Sequence, residues 1–205
     1  MELFNNNEDR LNLNLPDANI SYFPHFLDPE VAISAFDIFL DELEWRQHDI
    51  KIFGKLLPQP RLTALYGIND QSYTYSNITL KPLKFTPKLL EIHQKLEELT
   101  KINFTHCLAN LYRDGNDSMG WHADDEKELG ENPVIASVSL GATRRFQLKH
   151  RSNPNLKYQL DLEHSSLLLM KGTTQHFWRH QLPKTKKPVS PRINLTFRTI
   201  LLNSE

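Results

Sequence analysis

Residues 191–198 read PRINLTFR, and the alternation within this stretch predicts a buried β-strand. In strand geometry Ile193, Leu195 and Phe197 share one face. The polar side chains share the other face: Arg192, Asn194, Thr196 and Arg198. Two guanidinium groups on one face repel each other unless an anion lies between them, and arginine is shaped for bidentate recognition of a carboxylate. The stretch therefore predicts an anion site, with an edge strand and a solvated polar face as the alternative.

The surrounding chain supplies further strands and two helices. Short strand-like segments separated by Gly, Pro and Asn turns fill the chain after residue 103, and in one of them Asn110 and Tyr112 share a face. Upstream, Asp28-Pro29 and Thr86-Pro87 are helix-start signals. Apolar residues follow at helical spacing: Ile33, Phe36, Leu40 and Leu43 in a helix over about residues 29–44, and Leu89, Ile92, Leu96 and Leu99 in a second. Together they predict an α+β fold, a barrel or double-sheet roll with helices on one face.

The composition indicates a single globular domain. The chain has 205 residues, no Gly/Ser linker and no apolar run near the length of a membrane helix, which is about 20 residues. The start lacks the pattern of a secretory signal, so we expect an intracellular protein, cytoplasmic if bacterial and nuclear if eukaryotic. Residues 1–18, rich in Asn, are expected to form a loosely ordered tail before a domain over residues 19–205. Cys107 lies in an apolar run and is expected to be buried and inert.

Charge is distributed unevenly along the chain. The net charge is −1, but the segment from His164 to Ser204 has no acidic residue and seven basic ones: Lys171, Arg179, Lys184, Lys186, Lys187, Arg192 and Arg198. That segment carries +7, so the remainder carries −8. The asymmetry indicates an anionic ligand on the C-terminal part, with a solvated basic loop as the alternative.

Residues 120–126, GWHADDE, contain a candidate metal site. On a strand His122 and Asp124 point to the same side and can converge on one ion, whereas Asp125 points away. Glu126 lies on the same side as Asp124, but one more pair of residues along. An exposed polar turn is the alternative interpretation.

A third ligand is available in QHFWRH, residues 175–180. Two histidines and one carboxylate, with open positions beside them, are typical of non-haem iron that binds oxygen and a co-substrate. Alternation does not choose between His176 and His180, because both have even numbers.

These motifs together resemble the AlkB family of iron(II)- and 2-oxoglutarate-dependent dioxygenases. They are His122-Ala-Asp124, then His180, and PRINLTFR, with Arg192 and Arg198 twelve and eighteen positions after His180. The resemblance runs from about residue 52 to residue 201. It implies a double-stranded β-helix (jelly-roll) core over residues 101–205, with helices and a nucleotide-recognition region over residues 19–100.

The resemblance also implies the site residues and the cofactors. The iron ligands are His122, Asp124 and His180, which leaves His176 to packing. Arg192 grips the distal carboxylate of 2-oxoglutarate, and the pocket is completed by Asn110, Tyr112, Asn194 and Arg198. Iron(II), 2-oxoglutarate and O2 then hydroxylate an N-methyl carbon, giving succinate and carbon dioxide, and the methyl group leaves as formaldehyde.

The region upstream of the core resembles the nucleotide-recognition region of the AlkB branch that repairs duplex DNA. It reads IFGKLLPQPRLTALYG over residues 52–67, followed by YTYSNITL over residues 73–80. By this resemblance Phe53 is a finger that inserts where a base has flipped out, and Arg61 lies near that opening. Tyr75 stacks on the flipped base opposite His122, with Tyr73 as a neighbour. An alkylated base flips at lower cost because it cannot pair.

Charged residues complete the expected interface with DNA. Asp125 and Glu126 would favour a cationic methylated base or accept a hydrogen bond from its exocyclic amine. Basic residues expected to neutralise phosphates are Lys184, Lys186, Lys187, Arg144, Arg145, Lys149 and Arg151.

The predicted function is therefore the demethylation of 1-methyladenine and 3-methylcytosine in DNA, with duplex DNA expected, by a monomer. RNA, single-stranded DNA or protein demethylation by the same chemistry are alternatives. A nucleic-acid-binding protein without catalysis is a rival from another class, against which the intact ligands and both arginines argue. Tyr75 replaces the phenylalanine of the duplex branch, and Thr185 interrupts the basic run, which leaves repair of single strands or RNA open.

Overall fold

The computed structural model describes residues 10–52, 54–75 and 78–201, with the backbone alone at residues 51, 52, 74, 75 and 78. The helices in this part are α1 (Pro29–Glu42), α2 (Pro87–Thr100), the short α3 (Thr174–Phe177) and a 3-10 turn (Lys127–Leu129). The strands before α2 are β1 (Leu11–Leu13), β2 (Asn19–Phe23), β3 (Asp49–Ile52), β4 (Lys55–Pro58), β5 (Leu62–Gly67), β6 (Tyr73–Tyr75), β7 (Ile78–Leu80) and β8 (Leu83–Lys84). Those after it are β9 (His106–Tyr112), β10 (Met119–His122), β11 (Ile135–Gly141), β12 (Arg144–His150), β13 (Lys157–Leu162), β14 (Ser166–Lys171), β15 (Trp178–Leu182) and β16 (Arg192–Arg198).

Two of the sheets build the core. The larger has eight strands in the order β1-β2-β14-β11-β16-β9-β5-β8, and the smaller has four in the order β10-β15-β12-β13. Apolar residues from both sheets fill the space between them, including Leu108 and Ile135 from the large sheet and Phe146, Leu148 and Trp178 from the small one. Hairpins β3-β4 and β6-β7 form separate two-stranded sheets. This is the predicted jelly-roll architecture.

Strand β16 occupies the interior of the large sheet, between β11 and β9. All seven of its residues are buried, and Ile193, Leu195 and Phe197 pack in the core on the helix side. Its even-numbered residues point the other way, into the space between the sheets. The predicted alternation is therefore confirmed, and the alternative of a solvated edge strand is excluded.

The two long helices cover the outer face of the large sheet. Asp28 caps α1 by accepting a hydrogen bond from the backbone N–H of Glu30 at 2.9 Å, and Thr86 caps α2 by accepting one from Leu89 at 3.3 Å. Leu89, Ile92 and Leu96 of α2 are buried against the sheet as predicted. This places the helices on one face of the core, as expected from their apolar stripes.

The apolar stripe predicted for α1 was in part wrong. Ile33 and Leu40 are 56% and 40% exposed, and the buried face is formed by Ala32, Ala35 and Phe39. Alanines let the helix backbone approach the sheet closely, so the face with small side chains turns inward although larger apolar residues lie beside it. The helix also ends at Glu42, earlier than the predicted residue 44.

The N-terminal segment from residue 10 is tied to the core, which corrects the expected loose tail for residues 10–18; residues 1–9 lie outside the described part of the chain. Strand β1 pairs with β2, and Leu13 is buried between the sheets. The indole N–H of Trp178 donates to the carbonyl of Pro16 at 2.9 Å, and Asp17 lies 3.3 Å from His150. Local composition did not reveal these partners, because they come from distant strands. In the described part of the chain, no helix is both long enough and apolar enough to cross a membrane.

Candidate metal centre and co-substrate pocket

Three side chains with metal-binding atoms converge at one end of the space between the sheets. His122 ends β10 and lies directly opposite His180 of β15 in the strand register. Asp124 follows two residues after His122, and one ligand atom from each residue lies within 4.8 Å of the other two. Strand β10 stops at His122, so a turn, and not the predicted strand geometry, brings Asp124 beside it.

The register of β10 and β15 also separates the two histidines of QHFWRH. His180 is buried and its ring centroid lies 4.2 Å from that of His122. His176 is exposed in the short helix α3 and is not part of the cluster. The choice that alternation left open is made by the pairing of two strands that are far apart in sequence.

The environment of Asp124 keeps its carboxylate charged and oriented. Arg198 donates from Nη2 to its Oδ1 at 2.9 Å, and the backbone N–H of Asp124 donates to the side chain of Gln175 at 3.0 Å. Burial alone would raise the pKa of Asp124, but Arg198 and His180 hold that pKa below its usual range. The group is therefore a carboxylate, the form that binds a metal ion, at every ordinary pH.

His122 is held as a neutral imidazole with one nitrogen available. Its Nδ1 lies 2.8 Å from the carbonyl of Gly120, which only accepts, so Nδ1 carries the proton and Nε2 has the lone pair. Burial and the neighbouring His180 lower the pKa of His122 to about 3, so the ring is uncharged at neutral pH. A backbone acceptor that orients a ligand histidine in this way is typical of metal sites.

A buried arginine marks the opposite end of the same cavity. Arg192 is only 2% exposed, and burial lowers its pKa to about 10. Its Nη2 donates to the hydroxyl of Ser139 at 2.9 Å, while its buried Nε has no hydrogen-bond partner among the described residues. Its guanidinium lies 5.4 Å from the ring centre of Tyr112. A buried cation without a carboxylate partner, beside a cavity that also contains the metal ligands, fits a carboxylate ligand.

The wall between these two ends is polar and ordered. Asn194 donates to the hydroxyl of Ser137 at 2.8 Å and accepts from Thr196 at 3.0 Å. Asn110 of β9 lies opposite Asn194 in the register. The five residues predicted for the co-substrate pocket all line this cavity together with the three predicted iron ligands: Asn110, Tyr112, Arg192, Asn194 and Arg198. Ser137, Ser139 and Gln175 were missed in the sequence because their role depends on contacts with residues far away in the chain.

Arg198 links the metal end to the region expected to hold the base. Besides Asp124 it binds the hydroxyl of Tyr73, which is fully buried. Glu126 is half-buried and hydrogen-bonded to Tyr73, and burial, followed by the nearby charge of Asp124, raises the pKa of Glu126. The predicted pocket neighbours Tyr73 and Glu126 are thus together beside Asp124.

Other residues predicted to contact DNA have different positions. Arg61 is buried and donates from Nε to Asn110 at 2.8 Å, so it supports the pocket wall and is not at the surface. Asp125 is exposed and paired with Arg151, and it does not line the cavity. Phe53 lies outside the described residues, as does the side chain of Tyr75, whose backbone belongs to β6.

Three of the basic residues expected to neutralise phosphates already have protein partners, and one of them is Arg151, which is paired with Asp125. Arg144 is buried and donates to three backbone carbonyls, those of Asp114 at 3.1 Å, Asp117 at 2.9 Å and Pro183 at 2.7 Å. The expectation of a phosphate contact was wrong for Arg144, because an inward-facing strand position took the side chain into the core. Arg145, its neighbour, is exposed and binds Asp161 at 2.6 Å. The other expected contacts are Lys149, which is partly exposed, and Lys184, Lys186 and Lys187, which are exposed.

The fold and the site together define a jelly-roll protein with a non-haem iron centre and a carboxylate pocket, and the chain belongs to the 2OG-Fe(II) oxygenase superfamily, whose sequence profile matches residues 19–198. The donor set fits iron(II), and the buried Arg192 fits the distal carboxylate of 2-oxoglutarate. The cofactors implied by this family are iron(II), 2-oxoglutarate and O2.

Named relatives narrow the family further. The chain is 41% identical to the alpha-ketoglutarate-dependent dioxygenase alkB homolog 3 of Bos taurus over 192 residues, which are 89% of this chain and 66% of the relative. It is 41% identical to the DNA oxidative demethylase ALKBH2 of Homo sapiens over 163 residues, 76% of this chain and 62% of the relative. The chain thus spans just under two thirds of the length of these curated relatives. The AlkB resemblance predicted from the motifs is confirmed.

A solved structure supports the fold. The structure of OsALKBH1 superposes with a TM-score of 0.59 at 16% identity, covering 88% of this chain and 96% of that one. At this identity the likeness concerns the architecture alone. It agrees with the two-sheet core of this chain.

Proposed function

We propose that this protein is an iron(II)- and 2-oxoglutarate-dependent dioxygenase that removes N-methyl groups from 1-methyladenine and 3-methylcytosine in DNA. The observation that carries the proposal is one cavity with His122, Asp124 and His180 at one end and the buried, incompletely bonded Arg192 at the other. The names of the relatives, an alkB homolog and a DNA oxidative demethylase, support the substrate class.

The side chains of this protein bind the co-substrate, orient the metal ligands and exclude water from the reacting groups. Iron and 2-oxoglutarate, when bound, supply with O2 the oxidising power to hydroxylate an N-methyl carbon, which then leaves as formaldehyde. Arg192 binds the distal carboxylate, and Arg198 holds Asp124 in its ligating orientation. Apolar side chains of the cavity, among them Ile135 and Leu182, exclude water from the reacting groups.

Selection of the damaged base falls to the region beside Asp124. A base methylated at its Watson–Crick edge carries positive charge, and Glu126 lies close to Asp124 and is hydrogen-bonded to Tyr73. A carboxylate there attracts the cation, and a carboxyl group kept protonated there does not. The raised pKa of Glu126 therefore favours activity at neutral or higher pH over activity in acid.

Two variants with a matched control test the metal assignment. His122→Ala and Asp124→Ala should each abolish iron-dependent formation of succinate from 2-oxoglutarate, because the ion loses a ligand. His176→Ala should keep full activity, since that histidine is exposed outside the cluster. Full activity in either of the first two variants would disprove the assignment.

The substrate class is tested by direct comparison of oligonucleotides. Methylated single-stranded DNA, duplex DNA and RNA of one sequence are incubated with the enzyme, iron and 2-oxoglutarate, and loss of methyl groups is followed by mass spectrometry. The proposal expects DNA to be demethylated. Demethylation of RNA with DNA left unchanged would replace it with the RNA alternative.

We further propose that duplex DNA is accepted and that the active unit is a monomer. The duplex proposal rests on the resemblance of Ile52-Phe53-Gly54 to the base-displacing finger, and Phe53→Ala should reduce repair of duplex much more than repair of single strands. Equal losses would remove the finger assignment. The monomer is proposed because one chain supplies all three metal ligands together with Arg192, and the molar mass during gel filtration with light scattering checks it.

A further inference from the structure

The outer face of the four-stranded sheet presents a row of cations that the metal centre and the co-substrate pocket do not use. Lys149 in β12 lies directly opposite Arg179 of β15 on one side and Lys157 of β13 on the other. Leu148, next to Lys149, and His180, next to Arg179, are buried and belong to the opposite, inner face. The three cations therefore occupy neighbouring positions on a single sheet face.

Such a row is unfavourable unless an anion compensates it. Like charges directly opposite each other on neighbouring strands destabilise a sheet. The acidic side chain on this face, Asp161, is already bound by Arg145 at 2.6 Å. Among the described residues, no carboxylate forms an ion pair with Lys149, Lys157 or Arg179. The face thus has free positive charge available for a polyanion.

The aromatic ring of Trp121 lies between this row of cations and the metal site. Trp121 immediately precedes the iron ligand His122, and it is 37% exposed. The ammonium of Lys149 lies 4.3 Å from the ring centre. The rest of the same groove is lined by Gln147, Leu148, Lys157, Tyr158 and Gln159.

We propose that this groove binds a single-stranded DNA segment next to the base that enters the active site, with one base stacked on Trp121 and phosphates on Lys149 and Lys157. Exposed aromatic rings flanked by cations are the general means of binding single strands without sequence preference. Stacking displaces the ammonium of Lys149 from the ring towards the adjacent phosphate, which replaces a cation–π contact by a stack and an ion pair. The inference rests on the proposed function for the identity of the neighbouring base, but not for binding itself.

Fluorescence provides a direct readout of this interaction. The chain has three tryptophans, of which Trp178 is buried and Trp45 is partly buried in the helix-side core, so a bound base quenches Trp121 above all. The probe is undamaged oligothymidylate of about ten nucleotides, titrated into the iron-loaded protein without oxygen. We expect saturable quenching in the wild type. In Trp121→Phe the quenching should be lost, although fluorescence anisotropy of a labelled oligonucleotide should show that the oligonucleotide still binds.

Measurements of affinity distinguish stacking on Trp121 from non-specific binding of the oligonucleotide. Trp121→Ala should raise the Kd about tenfold, and Trp121→Phe should recover most of the affinity because a smaller ring still stacks. The matched control is Phe177→Ala, since Phe177 is 38% exposed but lies outside this groove, and it should leave the Kd unchanged. The same Kd in Trp121→Ala and Phe177→Ala would overturn the proposal.

A second measurement keeps this result separate from the proposed function. With a methylated single-stranded oligonucleotide, Trp121→Ala should raise KM and leave kcat unchanged. Quenching in a protein that demethylates nothing would reject the proposed function and leave the groove established. Demethylation in which neither KM nor Kd depends on Trp121 would reject the groove and leave the proposed function established.

Discussion

Similar residues on the two faces of the four-stranded sheet differ in burial and in their partners. Arg144 and Arg145 are neighbours in β12, yet the first is buried against three carbonyls and the second is exposed on a carboxylate. His180 and Arg179 are neighbours in β15, and only the first reaches the metal site. The side of the sheet on which a residue falls, more than its chemical type, decides whether it builds the site or meets solvent.

The largest expected difference concerns two arginines, one from inside the fold and one from the outer face. Arg192→Met should weaken 2-oxoglutarate binding about a thousandfold, the equivalent of about 4 kcal/mol, because a buried carboxylate loses its cation. Arg179→Met should leave that affinity unchanged. Calorimetric titration of 2-oxoglutarate with Mn²⁺ in place of iron measures both, and comparable losses would remove the assignment of Arg192.

The next contrast is between neighbouring residues in one strand. Arg144→Ala should lower the free energy of unfolding by about 3 kcal/mol, because three buried carbonyls lose their donor at once. Arg145→Ala should change it by less than the error of the measurement, since an exposed ion pair contributes little. Urea denaturation of both variants tests this, and a larger loss in Arg145→Ala would contradict the distinction between the faces.

A pH series compares a buried and an exposed carboxylate. Burial alone would raise the pKa of Asp117, but hydrogen bonds from Arg113 lower it below its ordinary value. A carboxyl group with a lowered pKa stabilises the fold at pH values above its unfolded-state pKa, which is about 4. This stabilisation is lost as the pH falls through the lowered pKa of the folded state. Asp117→Asn should therefore cost about 2 kcal/mol at neutral pH and progressively less below about pH 4, as measured by urea denaturation at each pH.

The control for that series is Asp161→Asn on the outer face. The pKa of Asp161 is also lowered, by its hydrogen bond with Arg145, but the pair is largely exposed. We expect the same direction with pH and a smaller effect, because water and salt screen the pair. A pH-independent loss in Asp117→Asn would show that its carboxylate charge is not what stabilises the fold.

The smallest effect concerns salt. Lys149→Gln should reduce the slope of log Kd against log salt concentration for oligothymidylate by about 0.7, the value expected when a single strand has one fewer phosphate neutralised by the protein. Lys171→Gln, a change outside the groove, should leave the slope unchanged. Identical slopes in the two variants would mean that Lys149 does not bind phosphate.

Much of the core was predictable from local patterns. The alternation in PRINLTFR identified the buried face of β16 and the polar face that lines the cavity, because strand side chains alternate whatever the neighbours are. Proline after a capping residue located the first residue of both long helices. The predicted stripe of α1 failed because helix orientation depends on how closely a sheet can approach, which the helix sequence alone does not show.

The sequence by itself determined the chemistry: two histidines, an aspartate and a pair of arginines at spacings that resemble one enzyme family. The tertiary structure alone decided which groups meet. The pairing of β10 with β15 brings His180 opposite His122, and a turn after β10 brings Asp124 beside them. It also took Arg61 and Arg144 out of the expected DNA surface and left Trp121 exposed beside Lys149. Local patterns depend on the neighbouring residues of one segment, whereas these interactions join segments far apart in the chain.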